Sequence, residues 1–129
     1  MADTNSQKVQ LMLKALGYKV GVLDGVLGPM STQAIKAFQS DYDINTSGKA
    51  DQETVDTLYE AFIANSITVH GDVLQMMLHF AGHSPGSIDG VVGKNTQNAV
   101  YRFQQEQGLH GDGNWDDDTI NLLKESLYA

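Results

Sequence analysis

From Val9 onward the apolar residues keep a helical spacing: Val9, Leu13 and Leu16 fall three or four positions apart, Met12 adds a flank, and Gly17 stands where such a helix stops. Ser6 marks the start of this first predicted helix. Positions 18–28 lose the period and carry Gly21 and the pair Asp24-Gly25, the composition of tight turns, with Leu23 expected to anchor the loop in the core. Pro29 then opens a second helix at the one position where a missing N–H costs nothing, and Ala34, Ile35 and Phe38 form its inner face. A second loop over 43–50 leads to Asp51 with Thr54 three residues on, an N-cap signature reinforced by Glu53 near the positive end of the helix dipole. Val55, Leu58 and Phe62 mark the inner face of this third helix. The predicted core gathers Leu13, Leu16, Leu23, Ile35, Phe38, Val55 and Leu58.

The same pattern is written again 65 positions later, without a gap, from Asp24-Gly25-Val26-Leu27-Gly28 to Asp89-Gly90-Val91-Val92-Gly93. Leu74, Met77, Leu78 and Ala81 precede Gly82, the loop 83–93 has Ile88 as its expected anchor, and Lys94 to Gln107 carries Ala99, Val100 and Phe103 before Gly108. Asp116 and Thr119 repeat the third-helix cap, followed by Ile120, Leu123 and Leu127. Matched glycines, turn acids and apolar positions in one register mean that one small fold occurs twice. The expected architecture is all-α: two tandem three-helix bundles, residues 1–62 and 71–129, joined by 63–70. That joint has neither proline nor a glycine-serine run, and Ile63, Ile67 and Val69 favour cover over water, so the bundles are expected to pack together.

Each unit of about 55 residues lies near the lower limit for a self-sufficient core, which leaves little room for a catalytic cleft. The chain of 129 residues has 16 acidic against 8 basic residues, a formal net charge of −8, and its lysines and arginines are scattered. Nucleic acid and membrane surfaces are excluded as expected partners because both are read through basic patches, and polyanionic teichoic acids are disfavoured on the same ground. With no cysteine there is no disulfide or thiolate site. The residues Met1 to Ser6 lack the basic start and apolar run of a secretory signal, and no stretch approaches the length of a membrane span. An extracellular place would then be reached by a non-classical route, or within a phage particle or secretion machine.

Gln10, Gly17-Tyr18, Asp24-Gly25-x-x-Gly28, Ser31, Ala34-Ile35, Phe38-Gln39, Thr54 and Leu58, with Gln75, Gly82, Asp89-Gly90-x-x-Gly93, Thr96, Ala99-Val100, Phe103-Gln104, Gly108-Leu109, Asp112-Gly113, Thr119 and Leu123, give the chain its likeness. In this order they resemble the peptidoglycan-binding domain 1 family, three-helix modules that accompany cell-wall hydrolases, and the likeness covers nearly the whole chain. Two departures stand out. The first unit has Asp43-Ile44 where the family has Gly-Leu, and the second has His83 where it favours an aromatic. The resemblance implies non-catalytic binding of bacterial peptidoglycan, through its glycan strand or stem peptide, that anchors this chain or an associated protein. The alternative is a protein-interaction or structural part, such as a phage or injection-machine component or an inhibitor, that reuses the fold.

A wall glycopeptide asks for a shallow groove with an apolar floor and several short polar groups. The candidate ligand residues are Tyr18, Asp24, Ser31 and Gln39 in the first unit and His83, Asp89, Thr96, Arg102, Gln104 and Trp115 in the second. Most have a structural reading beside the functional one. Asp24 and Asp89 before glycine suit turn bonds, Ser31 and Thr96 suit helix-terminus bonds, and Gln39 and Gln104 suit pins for loop carbonyls. Trp115 is either a core plug or an exposed platform for a sugar face, and Tyr18 is expected half-buried with a free hydroxyl. Asp112-x-Asn114-x-Asp116 resembles the opening of a calcium loop but lacks its glycine and its final glutamate, and His79 with His83 lacks a third zinc ligand, so neither metal nor cofactor is expected. No nucleophile with a base, Gly-x-Ser-x-Gly turn or metal spacing is present, which argues against an enzyme.

Overall fold

A computed structural model describes residues 4–128 and places six helices, and no strand, among them. They are α1 (Thr4–Ala15), α2 (Pro29–Asp41), α3 (Gln52–Ala64), α4 (Gly71–Phe80), α5 (Lys94–Glu106) and α6 (Asp117–Ser126). The chain divides into two compact units, the first ending at Thr68 and the second beginning at Val69.

In the first unit α1 lies against both α2 and α3. Phe38, Leu58 and Phe62 are fully enclosed with Val9, Leu13 and Ile35, and Val20 and Leu23 reach in from the loop. Leu16, just past the last residue of α1, and Val55, in the first turn of α3, were expected inside and are only partly covered. Ile63 lies on the exposed side of α3, contrary to the expectation that it would be covered. After α3 the backbone returns to α1, where Thr68 N–H donates to the Ala15 carbonyl at 3.0 Å.

The second unit repeats this plan, with α4 against α5 and α6 around Leu74, Leu78, Val100, Phe103 and Leu123. Its loop differs in one respect. The inward position is filled by Pro85, which matches Val20, while Ile88 turns outward at 38% exposure and is not the expected anchor.

The helix ends follow local chemistry. Gly28 and Gly93 precede α2 and α5, Pro29 occupies the first turn of α2, and the Asp51 and Asp116 carboxylates accept the Thr54 and Thr119 N–H groups. At the end of α5 Gly108 has φ 74°, which lets Leu109 N–H reach the Gln104 carbonyl at 2.9 Å. At the matching end of α2, Ile44 N–H reaches the Gln39 carbonyl at 3.0 Å, and here Asp43 adopts φ 54°. The departure read at Asp43 therefore keeps the left-handed cap and holds it with a residue that pays a steric penalty there.

Candidate functional site

Each loop of each unit is fastened from inside by its own glutamine. Gln10, buried on α1, accepts the Gly25 N–H through Oε1 at 2.8 Å. Its Nε2 donates to Asp24 Oδ1 at 3.3 Å, the Val26 carbonyl at 3.0 Å and Ser31 Oγ at 3.1 Å. Gln75 on α4 repeats the pattern with Gly90 N–H, Asp89, the Val91 carbonyl and Thr96. The second loop is wired in the same way: Gln39 takes the Gly48 N–H and gives to Ser47, the Lys49 carbonyl and Thr54. Gln104 takes the N–H groups of Asp112 and Gly113 and gives to Asp112, the Asn114 carbonyl and Thr119. Four loops thus share one device, a helix amide that closes a turn and holds the hydroxyl of the following helix. Such a buried amide is stable only because its donors and acceptor are all met.

The candidate residues divide on this geometry. Gln39, Gln104, Ser31 and Thr96 are enclosed, with their polar groups engaged within the fold. Asp24 and Asp89 are exposed but hold their own turns, accepting the Val26 and Val91 N–H groups at 2.9 Å. These backbone bonds, and next the Gln10 and Gln75 amides, stabilise the carboxylates and hold both carboxyls below their ordinary range.

Tyr18 is half-buried with its ring edge-on to Phe38 at 5.9 Å, but its hydroxyl is not free: it donates to Asp41 at 2.6 Å. Burial, and then this bond to a carboxylate, push the phenol above its usual range. His83 takes the same place in the second unit, edge-on to Phe103 at 6.0 Å with Nε2 3.2 Å from Glu106 Oε2. That nitrogen is buried and out of line for a hydrogen bond, so the pair has the distance of an ionic contact, effective when the imidazole is charged. Exposed Arg102 donates to the Ser84 carbonyl at 3.2 Å, and Trp115 is half-buried just before the cap of α6.

The residues that sequence reasoning passed over lie beside Asp89. A groove of about 270 Å³ in the second unit is lined by Pro85, Ser87, Asp89, Val91, Lys94 and Asn95, with Gln75 and Thr96 among its deeper residues. At the 65-residue offset the first unit has Val22, Pro29 and Met30 where the second has Ser87, Lys94 and Asn95. Val22 is 75% exposed, Val26 58% and Met30 52%. The Met30 sulfur lies over Gly21, as the Asn95 amide lies over Gly86. The available signal was the set of mismatches between the copies. Polar loop residues taken one by one look like ordinary surface. Among the described residues no cluster of His, Asp or Glu is arranged to hold a metal ion.

A family profile described as "Putative peptidoglycan binding domain" matches residues 3–58 and again 72–123. The chain belongs to this family. It therefore carries two peptidoglycan-binding-type modules in tandem, each an all-helical unit of the kind just described. Among curated proteins it is similar to a "Putative OxPP cycle protein OpcA" of Nostoc punctiforme, 38% identical over 56 residues, and to another of that name from Synechocystis sp., 40% identical over 55 residues. Each match covers 43% of this chain and 12% of the relative, so the likeness is confined to a small part of those longer proteins. No solved structure gives a significant match.

Proposed function

We propose that the protein binds bacterial peptidoglycan without catalysing a reaction on it, and that its two modules hold it, or a protein joined to it, at the cell wall. The family match over both units carries this reading. Shallow loop-side surfaces of this size support only modest affinity each. A polymer that repeats its epitope lets a second linked module add through effective concentration, which gives the duplication a physical use. Among the described residues no helix is long and apolar enough to cross a membrane.

The experiment is co-sedimentation with purified, protein-free sacculi. The parent chain is expected in the pellet in low and moderate salt, with Trp115→Ala and Tyr18→Ala retained less while their circular dichroism is unchanged. A parent that stays in the supernatant under both conditions overturns the reading. It would favour the second reading, docking on another protein, for which the exposed Val22, Val26 and Met30 of the first unit are the specific support.

A further inference from the structure

The two copies differ in chemistry at the groove. In the second unit the lining contains one cation, Lys94, and one anion, Asp89, with the Asn95 amide and the Ser87 hydroxyl beside them. Lys94 makes no ion pair among the described residues, and no acid lies in the first turn of α5 to neutralise it. Asp89 spends one oxygen, Oδ1, on its turn and the Gln75 amide, while Oδ2 has no partner among the described residues. The first unit has the matching carboxylate, Asp24, but Pro29, Met30 and Val22 remove every donor that stood opposite it. A concave site with unpaired groups of both signs is complementary to a small ligand that carries both signs itself, and a groove of about 270 Å³ accommodates a head group, not a saccharide chain.

We propose that the second unit's groove is the peptide-reading site of the chain and takes a zwitterionic amino-acid head. Its carboxylate meets Lys94 Nζ and Asn95 Nδ2, and its ammonium meets Asp89 Oδ2. This assignment rests on the wall-binding reading, in that the stem peptide of the polymer supplies such a head wherever a diamino acid with a free side-chain amine and carboxylate occurs in it. Specificity follows from the pairing: a ligand lacking either charge leaves one groove charge without a partner. The first unit, without the donors, contributes no equivalent site.

The test uses the full chain, labelled with ¹⁵N and titrated with a soluble stem peptide ending in such a diamino acid. Amide shifts are expected in 86–96 and not in 20–31. Amidating the side-chain carboxylate of the peptide is expected to weaken binding by about tenfold or more, the usual scale for one charge-assisted hydrogen bond. Lys94→Gln should do the same. Exchanging the groove residues for those of the first unit, Ser87→Val with Lys94→Pro and Asn95→Met, should abolish the shifts. This variant is expected to fold because proline already begins α2 at the matching position. The reverse exchange, Val22→Ser with Pro29→Lys and Met30→Asn, should create a second site and raise the stoichiometry from one to two.

Shifts confined to 20–31, indifference to amidation, or an exchanged variant that binds the peptide like the parent would each overturn the proposal, as would tight binding of peptide-free glycan in this groove. Sedimentation separates the two levels. A parent and an exchanged variant that pellet equally with sacculi leave the wall reading standing and overturn the groove assignment. A parent that does not pellet overturns the wall reading, and the peptide titration still decides the groove.

Discussion

The first turns of α2 and α5 occupy the same place in the two units and have little in common on their outer face: Pro29-Met30 on one, Lys94-Asn95 on the other. Two residues further in, the copies agree, with Ser31 and Thr96 each receiving a glutamine amide at 3.1 and 3.2 Å. The difference teaches where sequence freedom lies in a very small domain. An interior hydroxyl is tied to a buried amide that has no water to fall back on, so replacing it costs free energy at once. An outward side chain on the same turn has solvent as an alternative partner and can change from thioether to amide without disturbing the turn. Tyr18–Asp41 and His83–Glu106 show the intermediate case, one contact filled by two chemistries.

If interior equivalence is real, matched substitutions should give matched losses. The largest are Phe38→Ala and Phe103→Ala, each expected to cost about 3–5 kcal/mol and to unfold its own unit, as read by amide exchange resolved by unit. A loss at one position that is several times the other would break the comparison. Next come Gln39→Leu and Gln104→Leu, which orphan the enclosed Gly48 and Gly113 N–H groups and should each cost about 3 kcal/mol in urea unfolding, with the second loop losing protection first. Smaller, and opposite in sign between units, are Asp43→Gly, expected to stabilise by about 1 kcal/mol, and Gly108→Asp, expected to destabilise by about as much, because the left-handed cap suits glycine.

The smallest effects per group concern acid. Asp24, Asp51, Asp89 and Asp116 all have carboxyls held low, the first and third chiefly by backbone N–H bonds, Asp51 by the Thr54 hydroxyl, and Asp116 by the Thr119 N–H. A folded value below the unfolded one means stabilisation that is complete above the unfolded carboxyl value of about 3.9 and is lost as pH falls through the folded value. The contribution of these four carboxyls should be flat from neutral to mildly acidic pH and decline below that point, equally in both units. Asp24→Asn combined with Asp89→Asn should shallow the decline, as followed by thermal unfolding against pH.

The helices, their starts at Pro29, Asp51 and Asp116, and the repeat itself were legible because each rests on local chemistry: a fixed φ, a cap three residues from its acceptor, an apolar period. Asp24 and Asp89 as turn formers were legible for the same reason. The four glutamine fasteners were only half visible. Gln39 and Gln104 could be suspected behind their phenylalanines, whereas Gln10 and Gln75 look like surface residues until the loop closes over them. A spacing did encode them, since a Ser or Thr follows the fastened glycine by six positions in all four loops, Gly25 to Ser31, Gly48 to Thr54, Gly90 to Thr96 and Gly113 to Thr119. Tyr18's bonded hydroxyl was not readable, because it depends on a partner from another segment, Asp41; the outward turn of Ile88, at the place where Leu23 is buried, has no local signal in the sequence.

The inward fastening of the loops has a consequence for how such a chain changes over time. Because the glutamine grips main-chain atoms, one turn side chain and one hydroxyl, the remaining outward side chains of the loop are mechanically idle and can be rewritten without loosening the scaffold. Duplication then provides a spare: while one copy retains a working contact surface, the other is at liberty to drift toward a new one.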